Sequence, residues 1–209
     1  MARPDRSPLR LALALCGALL LTGCVTTASP VTRFYVLDAL GADTVALAGA
    51  EREPPLALDL SPLRLPQYLE RPQIVSRSAG SRLELAEYDQ WGGNLAKNMG
   101  RVLAQNLSRL LATPDVTMLS RRPATPADLR IEVDVMQFER GADGRVLLEA
   151  QWRLAGGSGQ GNALVRTSRF VSDAVETGGG MDQTVAAMSA LVAELGRAIA
   201  TAVLARAER

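Results

Sequence analysis

Cys24 is the residue whose neighbours most clearly single it out for chemistry. It closes an apolar run directly after Leu21-Thr22-Gly23, so its thiol follows two small residues that leave room for an enzyme to reach it. The acids that can pair are Glu84, Glu87 and Asp89 in one stretch, and Glu132 with Asp134 in another. Two carboxyls about 5–10 Å apart are enough for glycoside hydrolysis. Glu132 and Asp134, however, alternate with Ile131, Val133 and Val135 and share their side of the pattern with Arg130, which reads as a charge ladder on an exposed strand face. Histidine is absent from all 209 residues. That removes Ser-His-Asp and Cys-His catalysis, the common histidine-ligated zinc sites and the usual general base at neutral pH. The glycines between Gly156 and Gly161 come without the lysine of a phosphate-binding loop and read as a turn. The expectation is a binding or scaffolding protein, not an enzyme, with no catalytic residue and no metal site.

Ahead of Cys24 stand a basic leader (Arg3, Arg6, Arg10) and an apolar stretch from Leu11 to Leu21, the length of a signal-peptide core and too short to cross a bilayer as a mature helix. This arrangement resembles the lipobox of bacterial lipoproteins. In that family the cysteine sulfur receives a diacylglycerol, the chain is cut before it, and the new amine is acylated. The resemblance implies a signal peptide over residues 1–23, a lipidated tether over 24–33 and a single periplasmic domain over 34–209. It makes Cys24 the lipid-attachment residue, with that covalent lipid as the only added group. Cys16 lies in the leader, so the mature chain has no disulfide to form and must rely on its hydrophobic core. One acyl chain gives marginal membrane binding and two give stable anchoring. Val25, where an Asp resembles an inner-membrane retention signal, implies the outer membrane. The tether reaches on the order of 30 Å at ~3.3–3.6 Å per residue, so the domain stays near its membrane.

The formal net charge is +1, and removing the leader leaves the mature form about one charge negative. Neither sign forms a long run. The basic stripe needed for nucleic acid is missing, as is a polybasic patch for anionic headgroups.

The elements that must position any site begin as strands. Phe34-Tyr35-Val36-Leu37 is aromatic and β-branched, and Leu56, Leu58 and Leu60 alternate with Ala57 and Asp59. Gly41 to Pro55 reads as a loop, and Ser78 to Ser81 as a hairpin turn between Ile74-Val75 and Leu83-Glu84-Leu85. Trp91, Leu95, Met99, Val102, Leu103, Leu107, Leu110 and Leu111 then form a helical stripe, with Asp89 as its expected cap and Pro114 as its stop. After Val116 to Leu119 come three alternating runs: Leu129 to Val135, Val146 to Leu154, and Ala163 to Val171. Asp143-Gly144 marks the first hairpin between them, and Ser158 to Asn162 leads to the third run. A last helix spans Met181 to about Arg206, its stripe made by Val185, Met188, Leu191 or Val192, Leu195, Ile199 and Val203. The pattern predicts an α+β domain, an antiparallel sheet with two long amphipathic helices packed on one face.

Two stretches carry a more specific likeness. Leu65-Pro66-Gln67-Tyr68-Leu69-Glu70-Arg71-Pro72-Gln73-Ile74-Val75 resembles the signature of the PqiC-type lipoproteins, auxiliary components of ABC-type transport systems. Glu87-Tyr88-Asp89-Gln90-Trp91, followed by Val102-Leu103-Ala104-Gln105-Asn106-Leu107, resembles that family's second block, with Gly92-Gly93 in place of its usual Ala-Glu-Pro-like step. The resemblance implies an outer-membrane lipoprotein on the periplasmic face that docks an MCE-domain protein of a lipid-transport system. It also implies possible assembly of copies into a ring. Two other roles stay open, a lipoprotein that shields acyl chains in a groove between helices and sheet, and a purely structural one.

The signature can also be read for itself. Pro66 and Pro72 stiffen the segment between them and push their preceding residues toward extended geometry. Tyr68 and Leu69 can then pack inward while Arg71 and Gln73 stay outside, or the whole run can serve only as a rigid turn before a strand. Tyr68, Arg71, Gln73 and Trp91 are the candidate partner-binding residues, although a tryptophan such as Trp91 is more often a core anchor than a ligand contact. Asn98 and Asn106, about two helical turns apart, face either a partner or solvent.

Overall fold

The structure, a computed structural model, describes residues 30–118, 127–156, 163–174 and 180–208. Cys24, the leader, most of the tether, Leu119 and the turn at Ser158 to Asn162 lie outside the described residues. Along the chain run β1 (Arg33–Tyr35), β2 (Leu58–Leu60), a single 3-10 turn (Gln67–Leu69), β3 (Gln73–Arg77), β4 (Leu83–Trp91), α1 (Leu95–Leu110), β5 (Val116–Met118), β6 (Leu129–Arg140), β7 (Arg145–Gly156), β8 (Leu164–Ala174) and α2 (Gly180–Ala207). The described chain from Thr32 onward is one unit.

Strict alternation in β6 and β7 puts Leu129, Ile131, Val133, Val146, Leu148, Ala150, Trp152 and Leu154 on a buried face. The two strands pair antiparallel from Leu129↔Gly156 to Arg140↔Val146, and β7 pairs antiparallel with β8. Their hairpin turns at Asp143-Gly144 as predicted, with Gly144 at φ +79° where a side chain would be strained. β3 and β4 form a further hairpin, closed by the Ser78 amide on the Arg82 carbonyl at 3.0 Å.

The eight-stranded sheet is mixed, and here the expectation of an antiparallel sheet needs amending. β2 runs parallel to β6 and to β5, β3 touches β6 in parallel, and β1 runs parallel to β4. Hairpin partners announce themselves by a short turn. Parallel partners are joined by long crossovers that leave no local signal.

α2 lies over β6, β7 and β8, whereas α1 packs chiefly on α2 and on β5. One helix thus covers the meander and the second is held mainly by the first. Gly196 permits their approach: a Cβ there would stand 3.3 Å from Asn106 Cβ and 3.6 Å from Leu103 Cδ1. By length and composition α2 could cross a membrane, but 61% of its most apolar window is buried inside the protein, as a core helix requires. The single core includes Leu148 and Leu154 of β7 and Val192, Leu195 and Ile199 of α2, each fully buried. Each such side chain contributes about 1.5–3 kcal/mol relative to exposure.

The start of α1 also departs from expectation. Trp91 is the last residue of β4, not part of the helical stripe, and Asp89 is not the cap. Asp89 instead accepts from Arg33 Nε at 2.6 Å and Nη2 at 3.0 Å, tying β1 to β4. Gly92-Gly93 makes the turn between strand and helix. The Gly92 amide donates to Tyr35 O at 2.7 Å, and Gly93 sits at φ +143°. Asn94 caps the helix, its Oδ1 accepting from the Lys97 amide at 2.9 Å.

Candidate docking surface

The signature segment folds as its prolines dictate. Pro66 stands before the 3-10 turn, closed by the Leu69 amide on Pro66 O at 2.9 Å and the Glu70 amide on Gln67 O at 3.1 Å. Leu69 is buried and Tyr68 half-buried, while Arg71 stays exposed and Gln73 opens β3 opposite Gln90. Tyr68 and Leu69 thus pack inward and Arg71 stays outside, whereas Gln73, expected outside as well, is half-buried at the start of β3.

Tyr68 has a specific internal partner. Its hydroxyl donates to Glu139 Oε2 at 2.7 Å, and Glu139 is 2% exposed. Arg77 Nε donates to Glu139 Oε1 at 2.9 Å, Arg77 Nη2 lies 2.7 Å from the same oxygen, and the Phe138 amide donates to Oε2 at 3.0 Å. A buried carboxylate is tolerated only when paired and hydrogen-bonded, and this one is. Burial pushes the Tyr68 phenol above its ordinary value, and the hydrogen bond and charge of Glu139 push it further. Tyr68 therefore fastens the signature to β3 and β6 through its hydroxyl.

Arg71 and Trp91 do come together. They line a cleft of about 280 Å³ with Leu65, Leu69, Pro72 and Leu95, where the signature meets the start of α1. The Trp91 amide donates to Pro72 O at 2.7 Å and locks the two walls. Trp91 is 5% exposed, so it forms the cleft floor and anchors the core at once. A second cleft of about 300 Å³ shares Trp91 and Asn94 and adds Tyr35, Val36, Lys97 and Arg101. A third, of about 410 Å³, shares Asn94, Lys97 and, with the first, Glu70, and adds Leu63 and Met118. Three concavities thus meet around the first turn of α1, apolar in much of their walls, with Arg71, Lys97 and Arg101 as cations and Glu70 as an acid in the first and third. Sequence reasoning missed Leu65, Asn94 and Lys97. A Gly-Gly pair followed by a capping Asn was the available signal.

Both asparagines of α1 use their side-chain oxygens inside the protein, Asn106 fully buried and Asn98 half-buried at the second cleft. Asn98 Oδ1 accepts from the Leu37 amide at 2.7 Å and Asn106 Oδ1 from the Leu40 amide at 2.8 Å. Between them Ser189 Oγ of α2 accepts from the Asp38 amide at 3.1 Å. The strap Leu37 to Leu40 is thereby pinned along α1, with Leu37 buried.

The candidate acids are distributed among other partners. Asp134 pairs with Arg64, whose hydrogen bond and charge hold its carboxyl below the usual range. Glu87 accepts from the Tyr88 hydroxyl at 2.9 Å. Glu132 sits opposite Arg153 across β6 and β7. Among the described residues no three His, Cys, Asp or Glu side chains gather as metal ligands.

The sequence model of the family described as "ABC-type transport auxiliary lipoprotein component" matches residues 35–200. Among solved structures, an uncharacterized protein is similar at TM-score 0.67 and 20% identity, over 83% of this chain and 99% of that one. A protein from Xanthomonas campestris is similar at TM-score 0.64 and 15% identity, over 85% and 100%. At such identities the likeness is one of fold. No curated protein sequence matches this chain.

Proposed function

Because the chain belongs to the ABC-type transport auxiliary lipoprotein family, we propose that it is anchored by acylated Cys24 to the outer membrane, on the periplasmic face, and docks an MCE-domain protein of a lipid-transport system there. The observation that carries this reading is the meeting of the signature segment with the start of α1 in one set of clefts, around Arg71 and Trp91. Exposed Arg71 lines the first cleft with the apolar Leu65, Leu69 and Pro72 and with Glu70. That combination of a buried aromatic floor and a rim arginine suits a protein partner with an apolar anchor and a carboxylate or carbonyl beside it. A role as auxiliary component asks for a docking surface and no catalytic group. The acyl-shielding alternative needs room between helices and sheet, where the core residues of α2 and β7 are fully buried. Assembly of several copies would use the outer edge of β8, which pairs only with β7 among the described residues.

The test is a crosslinked pull-down from intact envelopes with a C-terminally tagged chain and a Cys24→Ser control. Recovery of an MCE-domain protein with the wild type, weakened in the control, supports docking that depends on the anchor. Recovery of the tagged protein alone speaks against it.

A further inference from the structure

Phe34 leaves 68% of its surface in solvent and Val36 49%, although Tyr35 between them packs against the core. Strand alternation explains how one residue can be inside while its neighbours point out. It does not explain why the outward residue of this three-residue edge strand is an aromatic, and the exposed residue just past its end a β-branched one.

The place of these residues along the chain supplies a reason. Phe34 follows Cys24 by ten positions, so at ~3.3–3.6 Å per residue it lies within about 35 Å of the attachment point, even with the intervening chain fully extended. Phe and Val beside cationic side chains are the composition of an interfacial contact, with the apolar groups under the headgroups and the charges among them. Arg33 is 58% exposed in its side chain, and Lys97 and Arg101 are exposed around the same cleft as Val36. Charge alone does not decide the matter, because Asp89 already engages Arg33, Asp182 acts on Arg33 and Asp38 is exposed nearby. The apolar pair and the length of the tether do. Val45, 85% exposed, offers the contrast. It lies in the loop that reaches the far end of α1, where the Leu47 amide donates to Leu110 O, whereas the Leu37 amide meets Asn98 near the helix start.

We propose that Phe34, with Val36 at its border, seats in the interfacial zone of the bilayer that holds the acylated chain, so that the β1 end of the domain faces the membrane. This rests on acylation of Cys24. It orients the domain, and it puts the docking clefts at the membrane-facing end, beside Val36.

The experiment uses the full mature chain, purified with its acyl groups and reconstituted into phosphatidylethanolamine–phosphatidylglycerol vesicles carrying brominated acyl chains. Phe34→Trp keeps an aromatic at an exposed position, and Val45→Trp serves as its distant counterpart, each read against the wild type with Trp91 and Trp152. Bromine near the headgroup boundary, at the ~5–10 Å depth of interfacial side chains, should quench about half of the emission added at position 34 and little of that added at position 45. Equal, weak quenching at both positions in vesicles that float with the protein overturns the contact while leaving the anchor intact. If the protein neither floats nor shows the added acyl mass, the anchor and the contact fall together, and the mass of the intact chain tells the two failures apart.

Discussion

Glu139 holds its carboxylate among donors from Tyr68, Arg77 and the Phe138 amide, in a site where the side chain is almost wholly buried. Removing one donor from such a group leaves an acceptor short of partners, which costs about 1–3 kcal/mol. Tyr68→Phe should lower stability by about that amount in chemical denaturation, with little change in backbone structure by circular dichroism. The same substitution has a signature in pH. The folded protein raises the Tyr68 phenol above its ordinary value of 10.0, so the folded state keeps a proton that the unfolded chain releases. The stabilisation is complete below that ordinary value and is lost as pH rises through the raised one. The wild-type midpoint should therefore decline above about pH 10, with a component that Tyr68→Phe lacks. Little of this was legible in advance. Two prolines told that Tyr68 could turn inward, but Glu139 stands 71 positions away and nothing local points to it. The exposed Arg71 was legible, because a stiffened segment with one residue inward leaves a near neighbour outward.

Between residues and the whole, the telling element is the strap Leu37 to Leu40. Three side chains from two helices accept its amides, at Asn98, Ser189 and Asn106. A peptide lying on helices has no ladder to satisfy its donors, so helix side chains must accept them. Asn106→Ala would strand the Leu40 amide and should cost about 1–3 kcal/mol, with faster amide hydrogen exchange confined to residues 37–40. Unchanged exchange there would show that the strap is held by other means. The hairpins were legible because Asp-Gly and the Ser78 to Ser81 turn announce themselves. The helices were legible from their stripes, except at the start of α1. There Trp91 matches the helical spacing while the Gly-Gly pair ends a strand, and pairing of β4 with β1 and β3 outweighs the periodicity. The strap escaped notice because a short apolar run reads as strand whether its amides meet a neighbouring strand or a helix.

At the scale of the molecule, one side of the sheet carries α2, and the start of α1 gathers the signature, Trp91 and the clefts at the end from which β1 enters the fold. The α+β class was legible in the order of strands and helices. The parallel pairs that join β1, β2 and β5 to the sheet were not, since their partners come from distant parts of the chain. The proposed role depends on one surface at that end, and Arg71 is an exposed member of it. Arg71→Glu reverses the rim charge without removing a buried group, so the fold, the anchor and the export of the protein should survive. The most direct measurement is the amount of MCE-domain protein recovered by crosslinked pull-down from intact envelopes, comparing Arg71→Glu with wild type at equal levels of the tagged protein. A loss of about tenfold or more, equivalent to 1.4 kcal/mol, is the result expected if docking uses this cleft. Equal recovery from both, or recovery of no MCE-domain protein from either, would contradict it.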